Sequence, residues 1–462
     1  MPTLGWTMII KDEVFEFRRL LNSLFQERSL FDQVVVIRTT KSEEIIQICE
    51  EFKVEHYYFE WVKDFSKARN FGIDKMKTDW IMWGDGDDLL KPEDYKKLQE
   101  LKQTLSHDIY FIDYVYSHDQ FGNIESILPR ERIFRNIPAL RFKSRIHEIL
   151  PICQGFNWTK VPDIKIHHYR MHGNDSERNL ELLKLSYDEN PTDPRTQFYY
   201  SRDLLGIGND KGIPIMQDYV KSGLGALDDR VAGCIILAKH YFESEPKTAE
   251  LYLNQAMSLV PGYAEIHYLL GMMYKKTNVD KAIAHFEKAT QCGFGTTLFT
   301  QVASYYSFLP NSELSVLYFA KGDYKKALQT NVKSYQAQAN IGLALDRKLI
   351  FQKLPLKVGW FTGNDITYPV TRIHYNISAE LKKFNIQAEI TNTISDYHAI
   401  VFTHFSQPIK EFKGYKVFHL TEEVFDPVLN EVDQIISCST KLKEKLESKG
   451  FKNITVIKDP YE

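Results

Sequence analysis

Two periods of apolar spacing alternate along the first 180 residues. Short apolar runs at Gly5–Ile10, Gln33–Ile37 and Val54–Phe59 read as strands. Between them, Phe17, Leu20, Leu21 and Leu24 recur at helical spacing, so Phe15–Phe25 is predicted as a helix with Asp12 as its cap. Glu43–Phe52 is the next predicted helix, after the polar turn Arg38-Thr-Thr-Lys-Ser42. Strands alternating with helices predict a parallel α/β sheet. Trp80–Trp83 is a further apolar run, and it stops abruptly at Asp85-Gly-Asp87-Asp88. Carboxylates at the end of such a strand lie where open α/β sheets bind ligands, and Gly86 lets the turn bend. Asp85 and Asp87 could hold one hard divalent cation. Alternatively, the acids cap the helix that Lys91-Pro92-Glu93-Asp94 begins. Asp163–Tyr169 is predicted as the last strand of this segment. His167 and His168 stand at its end and face opposite ways.

The spacing then becomes helical throughout. A break at Glu189-Asn-Pro191-Thr-Asp-Pro194 is followed by helix pairs with small and aromatic residues in repeating places. Ala249–Leu259, Ala264–Tyr274 and Asp280–Ala289 show this pattern, and Leu317–Ala327 repeats it around Gly322. Such repeats either present a concave surface to a peptide or protein, or pack as a scaffold and dimerise with a second copy. Beyond residue 355, apolar runs at Lys357–Gly363, Ala399–Thr403, Tyr415–Leu420, Gln434–Ser439 and Ile454–Ile457 predict a second α/β segment. Helices are expected between them, at Arg372–Phe384 and Thr440–Lys449.

Composition narrows the picture only a little. A length of 462 residues suggests about three domains, placed here at 1–180, 181–352 and 353–462. The net charge of −3 argues against bulk attraction to nucleic acid or an anionic membrane. Five scattered cysteines (Cys49, Cys153, Cys234, Cys292, Cys438) contain no Cys-x-x-Cys pair, which disfavours structural zinc and a disulfide framework. No apolar run approaches the roughly 20 residues of a membrane span. The first residues carry no signal-peptide pattern. The expectation is a soluble cytoplasmic protein.

Five short motifs occur in order: Lys11-Asp12-Glu13, Trp61-x-x-Asp64-Phe65-Ser66-x-Ala68-Arg69-Asn70, Trp80…Asp85-Gly-Asp87-Asp88, Arg132-Ile-Phe-Arg-Asn136 and Ile146-His147-Glu148. Together they resemble glycosyltransferase family 2, inverting transferases of the GT-A fold. The branch resembled carries tetratricopeptide (TPR-like) repeats after the catalytic domain. The resemblance implies a nucleotide-sugar donor, most commonly a UDP-sugar, and Mn²⁺ or Mg²⁺ as cofactor. It places Asp87 on the metal, Asp85 near the ribose and the metal, and His168 as a further ligand. It places Ile9 to Lys11 beside the nucleotide base and Arg69 beside the nucleotide. Glu148 becomes the candidate base that takes the acceptor's proton, with His147 orienting the base or the acceptor. One departure stands out. The family usually ends its second strand in an Asp that reads the base, and here Arg38 occupies that position, where it could instead contact phosphate. A guanidinium cannot accept a hydrogen bond from a base N–H, so donor identity stays open.

The acceptor also stays open between a peptide or protein, a glycan and a modified nucleobase. The segment after residue 353 resembles the N-terminal Rossmann-like half of a GT-B transferase. Such a half lacks most of the donor site, so it would serve binding or packing, or belong to a longer chain. A rival to the enzyme is a catalytically degenerate transferase fold whose repeats recruit a partner. A nucleotidyltransferase is a third reading, but no glycine-rich phosphate loop follows the first strand.

Overall fold

A computed structural model of the chain describes residues 2–25, 30–119, 122–152, 155–169, 176–295, 297–338 and 341–353, and beyond these the strands of the C-terminal segment and Glu447. The chain forms two compact units, Met1–Pro310 and Asn311–Glu462.

The first unit opens with β1 (Leu4–Ile10), α1 (Val14–Leu24), β2 (Gln33–Arg38), α2 (Glu43–Phe52), β3 (Glu55–Tyr58), α3 (Phe65–Ile73) and β4 (Trp80–Asp85). There follow β5 (Asp88–Leu89), α4 (Pro92–Gln103), β6 (Ile109–His118), β7 (Ile124–Arg135) and β8 (Trp158–His168). The strands lie in the order β3-β2-β1-β4-β7-β6-β8-β5. The β1, β2, β3 and β4 pairings are parallel, as the alternation of strand and helix predicts. The other half departs from that expectation. β7 runs antiparallel to both β4 and β6, because a short turn rather than a crossover helix joins β6 to β7. The sheet is therefore mixed.

Side-chain alternation fills both faces of this sheet. Leu4, Trp6, Met8 and Ile10 of β1 pack with Phe17, Leu20 and Leu21 of α1 and Ile45 of α2. Val35, Ile37, Ile81 and Trp83 point the other way and pack with Ile73, Phe134 and Phe142. At the end of β4, Gly84 lies over the Trp6 ring. A Cβ there would come within 2.1 Å of that ring, so only glycine lets the strand run on to Asp85. α1 is not capped by Asp12 as expected. Glu13 holds the N-cap position without a side-chain cap bond, and its carboxylate turns back to accept from the Lys11 and Asp12 amides at 3.0 and 3.2 Å.

The helical region of this unit runs through α5 (Ser176–Glu189), α6 (Pro194–Gly206), α7 (Gly212–Ser222), α8 (Leu227–Tyr241), α9 (Pro246–Leu259), α10 (Ala264–Tyr274) and α11 (Val279–Gln291). The pairs α8/α9 and α10/α11 make the heaviest helix contacts. Gly271 meets the Phe286 ring so closely that a Cβ would lie 2.6 Å from it, which explains the glycine between these helices. After α11, a two-residue strand, β9 (Gln301–Val302), adds to β7 at Ser126 and Ile127. Lys160 of β8 also donates to the Gly295 carbonyl just before it.

The second unit carries most of α12 (Phe308–Ala320), then α13 (Tyr324–Ala337) and α14 (Ile341–Lys353). In it, Arg347 Nε donates to Asn331 Oδ1 at 2.9 Å. Six strands follow: β10 (Leu356–Phe361), β11 (Ile386–Thr391), β12 (Ala399–Phe402), β13 (Tyr415–Leu420), β14 (Gln434–Ser437) and β15 (Ile454–Val456). They form an all-parallel sheet in the order β11-β10-β12-β13-β14-β15. β11 lies in a stretch for which the apolar pattern gave no strand. The helices expected at 372–384 and 440–449 fall outside the described residues, Glu447 apart. Among the described residues, no helix is long and apolar enough to cross a membrane.

Candidate active site

The acidic turn sits at the carboxyl end of β4, where Asp85 is level with Ile9 of β1. The Asp85 amide donates to Asp88 Oδ2 at 2.9 Å, which folds the turn back on itself. Asp88 is the buried anchor of that turn. Its Oδ2 also accepts from Arg132 Nη1 at 3.0 Å, and the two side chains are 0% and 1% exposed. Arg132 lies between the rings of Trp83 and Tyr114, at 4.1 and 4.3 Å from their centroids. Asp88 Oδ1 is buried without a hydrogen-bond partner.

That orphaned oxygen belongs to a group of three. β5 pairs with β8 so that Asp88 is opposite His168, and Asp87, Asp88 and His168 bring ligand atoms within 4.8 Å of one another. His168 Nδ1 is 3.3 Å from Asp87 Oδ1 and 2.8 Å from the Tyr114 hydroxyl. Burial disfavours a charged His168, but the Asp87 and Asp88 carboxylates outweigh it and lift its pKa to about 9. Without a metal, the imidazolium thus supplies the positive charge that two adjacent acids demand. Two carboxylates and one imidazole with ligand atoms this close suit a hard divalent cation. His167 faces away, as the strand pattern predicts. It meets His118 at 3.0 Å, and burial, then Lys91, pull its pKa down to about 3.

Arg69 organises the other side. Asp64 caps α3 by accepting from the Lys67 amide at 3.1 Å, and one turn later Arg69 points at the sheet end. Its Nη2 donates to Asp85 Oδ1 at 2.6 Å and its Nε donates to Glu148 Oε1. The guanidinium lies 4.2 Å from the Trp83 centroid. Burial pushes the Asp85 carboxyl up, but Arg69 and then Arg132 hold it well below the usual range. Asp85 therefore stands beside the three-residue group, tied to Arg69. Asp88, to which the sequence reading gave no role, completes the group.

Glu148 and His147 lie on a loop closed by reciprocal bonds between the Lys143 and Ile149 backbones, at 2.9 and 3.1 Å. Ser144 and His147 both have left-handed backbones, at φ 76° and 52°, a conformation costly for residues with a Cβ. The His147 ring stacks on Tyr199 at 4.1 Å, and its Nε2 faces Arg202 Nη2 at 3.2 Å. Burial, then Arg202 and Arg195, hold the imidazole pKa well below its ordinary value, so His147 is neutral.

A cavity of about 940 Å³ joins these groups. It is lined by Ile9, Lys11 and Thr39 from the ends of β1 and β2, by Asp85, Gly86, Asp87 and His168, and by Arg69 and Arg130. Trp61, Phe65, Ile146, His147 and Glu148 complete it, with Arg178 and Asn179 from α5. Every site residue expected from the sequence lines it except Arg38. Arg38 instead donates to His56 Nδ1 at 3.0 Å and to the Thr40 carbonyl at 3.3 Å. Arg130, Arg178 and Asn179 are lining residues for which the sequence held no specific signal.

The cavity thus lies over the carboxyl edge of a mixed sheet, with the acidic turn at that edge. Residues 8–161 match the family Glycosyl transferase family 2, and this N-terminal segment is a domain of that family. The chain is 25% identical over 235 residues to the SPbeta prophage-derived glycosyltransferase SunS of Bacillus subtilis (strain 168), covering 48% of this chain and 53% of that protein. It is 27% identical over 240 residues to a TPR repeat-containing protein of Synechococcus elongatus, covering 48% and 57%. The chain thus spans about half the length of the curated relatives it matches. Among solved structures, it is similar to the TPR protein YrrB, with 21% identity over 38% of this chain and 84% of that one, at a TM-score of 0.29. It is also similar to a thermophilic TPR protein of Thermus thermophilus, with 20% identity over 38% and 90% and a TM-score of 0.26.

Proposed function

We propose that the cavity transfers a sugar from a nucleotide-sugar donor to an acceptor, with inversion at the anomeric carbon. The observation that supports this reading is the cluster of Asp87, Asp88 and His168, of which Asp87 and His168 line the cavity and Asp88 Oδ1 is buried without a hydrogen-bond partner, 3.8 Å from His168 Nδ1. Asp87, Asp88 and His168 would hold Mn²⁺ or Mg²⁺, which supplies Lewis-acid neutralisation of the departing diphosphate. The nucleotide base docks against Ile9, Lys11 and Thr39, with UDP the first nucleotide to test. Arg38 lies off the cavity and turns to His56, so it leaves the base without the acid the family uses there, and the identity of the donor rests on the nucleotide panel below. Arg69 holds Asp85 and Glu148 in fixed relation, which sets the orientation of both carboxylates.

In the reaction, the acceptor's nucleophilic atom attacks the anomeric carbon from the face opposite the diphosphate. The carbon–oxygen bond to phosphate breaks and its electron pair leaves with the diphosphate. Glu148 receives the acceptor's proton. The acceptor, a peptide or protein in this reading, enters past Trp61, Phe65, Arg178 and Asn179.

The test is donor hydrolysis and transfer with a panel of nucleotide sugars and Mn²⁺. Turnover of at least one donor that disappears in Asp87→Ala is expected. No turnover of any donor, with Asp87→Ala indistinguishable from wild type, overturns the reading. A nucleoside diphosphate with Mn²⁺ should also raise the melting temperature, since both bind only the folded state.

A further inference from the structure

The loop that presents Glu148 is held from outside the family 2 domain. Arg195 of α6 donates twice to the His147 carbonyl, from Nε at 3.1 Å and Nη2 at 2.7 Å. Tyr199, one turn on, supplies the ring on which His147 stacks, and Arg202 reaches the imidazole from the next turn. The guanidiniums of Arg195 and Arg202 both lie over the Tyr199 ring, at 4.7 and 4.6 Å. Arg195 is braced in turn by Asp229 of α8, 3.5 Å away. A left-handed His147 relaxes unless its surroundings over-determine it, and these contacts act at His147 itself, while Phe65, Arg69 and Arg130 hold the loop at Arg145 and Glu148.

We propose that Arg195, Tyr199 and Arg202 are positioning residues for glycosyl transfer, clamping the His147 backbone so that Glu148 faces the cavity. The helical segment is then a working part of the active site rather than an appendage to it. On this inference His147 is a bracket, with its Nε2 turned to Arg202. The inference rests on the transfer reaction proposed above. The donor end of the cavity, around Ile9, Lys11 and Asp87, has no part in the clamp.

The experiment compares Arg195→Gln, Arg195→Lys and Arg202→Gln in the full chain by three readouts. The first is amide hydrogen exchange across residues 144–149. Exchange there should be about tenfold faster in Arg195→Gln, with the β1 and β4 amides unchanged. The second is turnover of the best donor. Here kcat should fall by about 10²-fold in Arg195→Gln while KM for the donor stays at the wild-type value. The third is stabilisation by UDP with Mn²⁺, which should be retained. Arg195→Lys, which keeps a donor for the carbonyl but loses the forked geometry, should recover part of the lost kcat. Arg202→Gln leaves the Arg195 bonds to the carbonyl in place and removes the contacts to the His147 ring, the Tyr199 ring and Asp203, so it should show the same pattern more weakly, which covers the case of Arg195→Gln failing to fold. Wild-type exchange and wild-type kcat in both glutamine variants would overturn the clamp. So would a fall in kcat matched by an equal loss of UDP stabilisation. If wild type turns over no donor, the transfer reading fails, and the exchange readout still decides whether α6 holds the loop.

Discussion

The two ends of the cavity treat charge in opposite ways. At the acidic turn, Asp87 and Asp88 lift His168 to about 9, and Asp88 Oδ1 has no hydrogen-bond partner, only the His168 Nδ1 3.8 Å away. On the loop side, Glu148 is already closed on Arg69, which also ties the Asp85 carboxylate, and burial with Arg202 and Arg195 holds the His147 pKa down. One end is unfinished without a ligand, whereas the other is complete within the chain. A cation that must bind and leave needs the first kind of site. A base that must stay in one place needs the second kind.

Removing the anchor of the unfinished end should have the largest effect. Asp88→Ala leaves Arg132 buried without its carboxylate, so unfolding in urea should show a loss of about 3–5 kcal/mol. Asp88→Asn should lose less, and both should lose Mn²⁺-dependent stabilisation by a nucleoside diphosphate. Asp87→Ala, at a more exposed position, should fold normally yet lower turnover by about 10²- to 10³-fold. Retained turnover in a folded Asp87→Ala protein would erase the contrast between the two ends.

Acid and alkali should separate the histidines. In chelator-treated protein, His168 has a folded pKa above its unfolded one. Its stabilisation is present in full below about pH 6.5 and is lost as pH rises through about 9. The loss should amount to roughly 3 kcal/mol, and His168→Gln should abolish it. Adding Mn²⁺ should also flatten the alkaline limb, because an ion then replaces the proton. His147 and His167 are depressed, so their effect has the opposite sign. Stability present above about pH 6.5 is lost as pH falls towards the folded values, about 3 for His167. An alkaline limb that survives in His168→Gln would place the titrating group elsewhere.

The smallest expected effect is at Lys53, left-handed at φ 53° and exposed at the end of α2. Lys53→Gly should stabilise by about 0.5–1 kcal/mol with turnover unchanged. It shows what relief of a left-handed residue does where no clamp depends on it.

Much of this arrangement was legible in the chain. The runs that became β1, β2 and α2 carry clean periods, and their bounds fall within a residue or two of the apolar pattern. Asp87 and His168 were legible because each ends a strand. The far half of the sheet was hidden for a physical reason. β6 is buried on both faces for most of its length, so Ile109–Val115 shows no alternation to mark it as a strand. Asp88 gave no sign of its role because its partner, Arg132, is brought to it only by the pairing of β4 with β7. Arg38 was misleading in the other direction. Its place at the end of β2 is the one expected, but His56 on the neighbouring β3 draws the side chain to itself. The α6 clamp has no local signature either, since Arg195 and Arg202 are ordinary residues of an ordinary helix until the loop meets them.

β4 pairs with β7 only at Ile133, Phe134 and Arg135, so the stretch of β7 around Ser126 and Ile127 would be an open edge without β9. That edge is capped by residues more than a hundred positions past the end of the family 2 match. A truncation at residue 180 would therefore expose a row of unpaired backbone groups and invite edge-to-edge association between copies. Such a fragment should be recovered in inclusion bodies or as soluble aggregates, whereas residues 1–310 should melt as one cooperative species. The boundary that homology draws, at residue 161, falls well short of the two-residue strand at Gln301–Val302 that closes this edge.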